Sequence, residues 1–94
     1  DSVECLKKLE GRIVSLHFKD LKMPEKHDVV WGTGDCKAPK MLAELKRQGF
    51  KGVFSVEYEH NTPELVANVQ KCVDFFNKCA AMSQKELEAL PEKQ

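Results

Sequence analysis

Apolar positions in this chain alternate with period two in just two places and recur at helical spacing in the stretches between. The first alternating run is Ile13-Val14-Ser15-Leu16-His17-Phe18, and the second is Val53-Phe54-Ser55-Val56-Glu57-Tyr58. Their length and their β-branched and aromatic content predict strands over 13–18 and 53–58. Helical periodicity marks 2–10, where Val3, Leu6 and Leu9 form the stripe, Ser2 is the expected N-cap and Gly11 closes the segment. A second helix is predicted over 38–48, with Pro39 in its first turn, Met41, Leu42 and Leu45 as its apolar line, and Gly49 as its stop. A third is predicted to start at a Thr62 cap with Pro63 in first position. Its continuous apolar face is Leu65, Val66, Val69, Cys72, Val73 and Phe76. Ser83 and Glu86 have capping-box spacing and open a short last helix that Pro91 ends, followed by a loose tail. The segment from Asp20 to Asp35 carries no periodicity. It reads as a long connection, a length that usually signals function.

Strands that alternate with helices predict an α/β fold with parallel pairing. Two parallel strands leave two open edges and little buried area. The chain is therefore expected to be one piece of a larger barrel or sheet, completed by further residues or by other copies of itself. It opens at Asp1 without Met, and an upstream segment is expected.

The strand faces carry the candidate chemistry. Side chains alternate along a strand, so Val14, Leu16 and Phe18 share one face of the first while Ile13, Ser15 and His17 share the other. On the second, Phe54, Val56 and Tyr58 oppose Val53, Ser55 and Glu57. The bulky faces are expected to pack on helices and the Ser-bearing faces to line an interior. His17 and Glu57 would then meet at matching height at the C-terminal ends of adjacent strands, where β/α proteins place their chemistry. A shared divalent cation is one reading of that pair, and a metal-free His–Glu hydrogen bond is the other. Lys19 and Asp20, which follow at once, are either loop-facing charges or contacts to substrate and metal site. His27 and Trp31 lie in the long connection. Trp31 reads equally as a platform for a bound apolar face or as a plug that holds the loop down.

Composition adds mostly exclusions. Ninety-four residues suffice for one small domain, and fifteen basic residues balance fifteen acidic ones, which gives no pull toward nucleic acid or anionic membrane. No apolar run approaches the ~20 residues of a membrane span, and no signal peptide is evident. Of the four cysteines, none forms a C-x-x-C pair. Cys72 and Cys79 share a helix face and are expected as core thiols, not as zinc ligands or disulfides.

Three motifs together, Gly11 to Asp20 with its His17-Phe18-Lys19-Asp20, Trp31-Gly32-Thr33-Gly34, and Gly49 to Glu59, resemble the C-terminal end of the sugar phosphate isomerase/epimerase family of xylose-isomerase-like TIM barrels. The resemblance covers roughly residues 3–78. It implies that the two strands are the seventh and eighth of a barrel, incomplete here. Residues 1–80 would form the C-terminal portion of the barrel domain, and 81–94 a short helix and tail. It implies a divalent metal (Mn, Mg, Co or Zn) bound by His17 and Glu57, with a Glu and an Asp from earlier strands completing the site. Glu57 would double as acid/base, and Lys19, Asp20, His27 and Trp31 are the candidate substrate contacts. The family places an Arg after the metal His in some branches, and none occurs between Asp20 and Asp35. The implied activity is sugar or polyol isomerisation or epimerisation, with a dehydratase on the same barrel or a non-catalytic scaffold piece as alternatives. The chain alone is expected to be inactive. Its compartment is expected to be cytoplasmic, with the periplasm open because any leader would lie upstream. A DNA-repair endonuclease shares the fold, but the balanced charge argues against it.

Overall fold

A computed structural model describes residues 1–94. In chain order the elements are α1 (Ser2–Lys8), β1 (Ser15–Phe18), β2 (Asp20–Lys22), β3 (His27–Val29), α2 (Ala38–Arg47), β4 (Val53–Val56), α3 (Leu65–Ala80) and α4 (Gln84–Ala89). This is a small mixed α/β domain with two two-stranded sheets. Strands β1 and β4 pair in parallel, with Ser15 opposite Val53 and His17 opposite Ser55. Strands β2 and β3 form an antiparallel hairpin within the crossover between them.

That hairpin is the first departure from the sequence reading. Each strand is three residues long, too short to show alternation, and side chains fix it from outside. Asp35 Oδ2 accepts the Met23 N–H at 2.8 Å. Asp20, the first residue of β2, is 1% exposed, and its carboxylate accepts the N–H groups of Leu21, Gly32, Gly34 and Cys36 at 2.9–3.1 Å. One buried charge thus gathers four backbone donors and organises the whole return from β3 to α2. Gly34 is required there, because a Cβ would sit 2.4 Å from Asp20 Oδ1.

One face of the β1–β4 pair is covered as predicted. Phe18 and Phe54 pack with Phe76 of α3 and with Trp31, at ring-centroid distances of 4.7 Å for Phe18–Trp31 and 4.7 Å for Phe54–Phe76. Helix α2 is the most buried element, lying against α1 and α4. Its polar residue Glu44 is only 5% exposed and is held by Arg47 and Gln48, while Arg47 also reaches Glu10 beyond α1. Cys72 and Cys79 are buried core thiols, and burial pushes both thiols up.

Several expected details shift. Asp1, not Ser2, caps α1. Helix α3 begins at Leu65, with Thr62 Oγ1 accepting the Glu64 N–H in a preceding turn. Val66 and Val73 belong to its predicted apolar face yet are exposed, because no element packs on that side of the helix. Val14 precedes the strand proper and is 82% exposed. The tail is not loose: the Gln94 N–H donates to Gly32 O at 2.6 Å, and Lys93 pairs with Asp35. The Ser83–Glu86 capping box forms as predicted.

The second face of β1–β4, bearing Ser15, His17, Val53, Ser55 and Glu57, is uncovered, and each of these strands keeps one free edge. Seventeen of 94 residues are buried, few for a chain of this length, because half of its main sheet has no partner layer.

Candidate functional site

His17 and Glu57 meet on that uncovered face. Their contact is His17 Nδ1 to Glu57 Oε1 at 3.6 Å. They are not level as the sequence suggested: His17 pairs with Ser55, and Glu57 lies two residues further along, where its N–H donates to Phe18 O at 3.0 Å. The small Ser55 side chain leaves room for the longer Glu57 to lean back toward the imidazole. His17 is 75% exposed and Glu57 34% exposed at the side chain. Neither is turned toward the helices.

Lys19 binds the other side of the carboxylate. Its Nζ donates to Glu57 Oε2 at 3.2 Å and to Glu59 Oε1 at 3.2 Å, and lies 3.4 Å from Asp28 Oδ1. Burial works against its ammonium, but the bonds to Glu57 and Glu59 and the field of Asp28 outweigh it and hold the pKa above the ordinary lysine value. The Lys19 bond in turn holds the Glu57 carboxyl below the usual carboxylate range, with a smaller contribution from His17. Glu57 is therefore ionised at neutral pH, with Oε2 engaged and Oε1 facing the imidazole.

Sequence reasoning overlooked two residues here. Asp28, opposite Leu21 in the hairpin, is 5% exposed and accepts the Glu59 N–H at 2.8 Å. His60 stacks on His27 at 4.4 Å between ring centroids and 20° between planes. Together these contacts clamp the hairpin to the chain beyond β4. Asp28 immediately precedes the apolar run Val29-Val30-Trp31 and has no local pattern to single it out. The tertiary contact alone gives it its role.

The other expected contacts lie elsewhere. Asp20 is enclosed by backbone N–H groups and reaches no open surface. Trp31 is 2% exposed between Phe18 and Phe76, so of its two readings the plug is the one realised. His27 is half-buried in its stack with His60. Of the six candidates, the structure brings His17, Lys19 and Glu57 into one cluster and assigns Asp20 and Trp31 to the scaffold.

The pair offers one nitrogen and one oxygen donor at a separation two ligands of a single cation can have, which fits two positions of a divalent shell. No group of three or more His, Cys, Asp or Glu side chains is disposed to hold a metal ion. No helix is long and apolar enough to cross a membrane. No family profile matches the chain, and no curated protein matches it either.

Proposed function

We propose that this chain forms the seventh and eighth βα units of a xylose-isomerase-like barrel whose activity is the divalent-metal-dependent isomerisation or epimerisation of a sugar or polyol. The observation that carries the reading is the 3.6 Å approach of His17 Nδ1 and Glu57 Oε1 at the C-terminal ends of adjacent parallel strands, on the face that has no partner layer.

His17 and Glu57 would hold the ion, and the remaining donors would come from other strands. A bound Mn, Mg, Co or Zn ion polarises a carbonyl and its neighbouring hydroxyl and so acidifies the adjacent C–H. With Oε1 on the ion, Glu57, kept ionised by Lys19, would take up that proton at Oε2 and return it to the neighbouring carbon, whereas inversion at the same carbon would need a second acid/base from another strand on the opposite face. His17, carried by the strand and exposed, would hold its share of the ion through Nδ1, the ring nitrogen that faces Glu57. Ser15 and Ser55 are the small residues on the same face as the pair.

The test is Glu57→Gln in the complete protein that carries this chain, assayed on ketoses, aldoses and inosoles with each of the four metals. Turnover is expected to vanish while the circular dichroism spectrum is unchanged. Unchanged turnover removes Glu57 from the chemistry, and a dehydrated product from an inosole reassigns the site to a dehydratase.

A further inference from the structure

We propose that Lys19 is a positioning residue, not a substrate contact: a built-in cation that fills the gap between Asp28, Glu57 and Glu59, presents a single oxygen of Glu57 beside His17, and keeps a second metal ion out. The proposal rests on the proposed function only for the purpose of the His17–Glu57 pair. The lysine's own place rests on geometry.

Three carboxylate oxygens from three residues surround one ammonium, at 3.2, 3.2 and 3.4 Å. As they stand these acids are not disposed as a metal site, but without the ammonium three hard oxygens would face one gap, the ligand type that calcium takes, with water completing its about six to eight positions. Asp28 shows that the gap demands positive charge. It is more than nine-tenths buried, its Oδ2 is committed to the Glu59 N–H, and its Oδ1 makes no hydrogen bond and is aimed at Lys19 Nζ. A buried carboxylate oxygen so placed is costly without a cation.

The backbone holds the four groups together and prevents the carboxylates from spreading. Lys19 directly follows Phe18, whose carbonyl accepts the Glu57 N–H at 3.0 Å, and Asp28 grips the backbone at Glu59. Two consequences follow for Glu57. With Oε2 bound to the lysine, it cannot chelate one ion through both oxygens. With the gap already filled, it cannot be drawn away from His17 by an ion seated among the acids.

The test compares the unaltered 94-residue chain with Lys19→Met and Lys19→Arg, each titrated with Ca2+ and followed by carboxyl NMR and by thermal unfolding. The unaltered chain and Lys19→Arg are expected to ignore about 1 mM Ca2+. Lys19→Met is expected to bind one Ca2+ at least about tenfold more tightly, with shifts at Asp28, Glu57 and Glu59. Its unfolding midpoint should rise with Ca2+, a readout that holds even if the ion-free variant is unfolded, since binding stabilises the native state alone. A purely structural lysine would alter stability without creating Ca2+ binding. No Ca2+ response in Lys19→Met, or an equal response in the unaltered chain, overturns the proposal. Line broadening of His17 and Glu57 by Mn2+ is read separately in the complete protein that carries this chain, with Lys19 unaltered. Its absence there, where the other strands supply their donors, sinks the metal reading of that pair and leaves the Ca2+ comparison to decide on Lys19.

Discussion

His17 pairs across the sheet with Ser55, yet its ring nitrogen touches the carboxylate of Glu57, one step further along the same face. The diagonal contact depends on the residue between them being small. Ser55→Leu should therefore push the imidazole and the carboxylate apart while leaving stability within ~0.5 kcal/mol, because that face packs against nothing. Loss of the nuclear Overhauser contact between the His17 ring and the Glu57 side chain, at an unchanged unfolding midpoint, is the expected result. Persistence of the contact would show that the carboxylate does not lean over Ser55.

The Asp20 carboxylate should be the largest single polar contributor to stability. Asp20→Ala removes an acceptor from four backbone donors, three of them across the loop, and should destabilise the chain by about 2–4 kcal/mol in urea unfolding. Asp20→Asn keeps one oxygen and should cost roughly half as much. An Ala variant as stable as the parent would mean that the loop holds its shape by packing of Trp31 alone.

Gly34 and Gly11 make a paired test of space against backbone conformation. Gly34→Ala forces a methyl group into Asp20 and the Leu21 carbonyl and should cost about 2–3 kcal/mol. Gly11→Ala meets nothing within 4 Å, and its φ of +81° limits the cost to about 1 kcal/mol. Equal losses would contradict the close approach at Gly34.

Acid should weaken the α1–α2 contact in a defined window. The Arg47 hydrogen bonds hold the Glu44 carboxyl down to about 2, from an ordinary 4.5. A carboxylate whose pKa is depressed on folding contributes stability that is complete above its unfolded value and is lost as pH falls through the folded one. The stability advantage of the parent over Glu44→Gln should thus be constant above pH 5, shrink below about 4.5 and disappear near 2. Urea midpoints at pH 6, 4 and 2.5 measure it. An advantage that does not change with pH would assign the contact to packing.

The sequence carried the outline of this fold because the outline is local. The Ser83–Glu86 box, the Gly49 stop and the alternation around Ser15 and Ser55 are each readable within a few residues, and each is realised. The hairpin was not readable, since three-residue strands leave no period and their stability comes from Asp20 and Asp35, which act across 12 to 16 positions. The site was legible in the same proportion. His17 and Glu57 announced themselves by parity, whereas Asp28 became visible only as the partner of Lys19 and of the Glu59 N–H. Val66 and Val73 illustrate the converse: an apolar stripe on a helix says that burial is favourable, not that a neighbour exists to supply it.

Strands β1 and β4 each end the sheet with unsatisfied peptide groups, and the two rims are not alike. Contact between the rim of β1 on one molecule and the rim of β4 on another would be directional, so growth would proceed head to tail instead of stopping at a symmetric pair. Concentrated solutions of this polypeptide should consequently form chains whose mean length rises with concentration, and a short peptide mimicking either strand should terminate them.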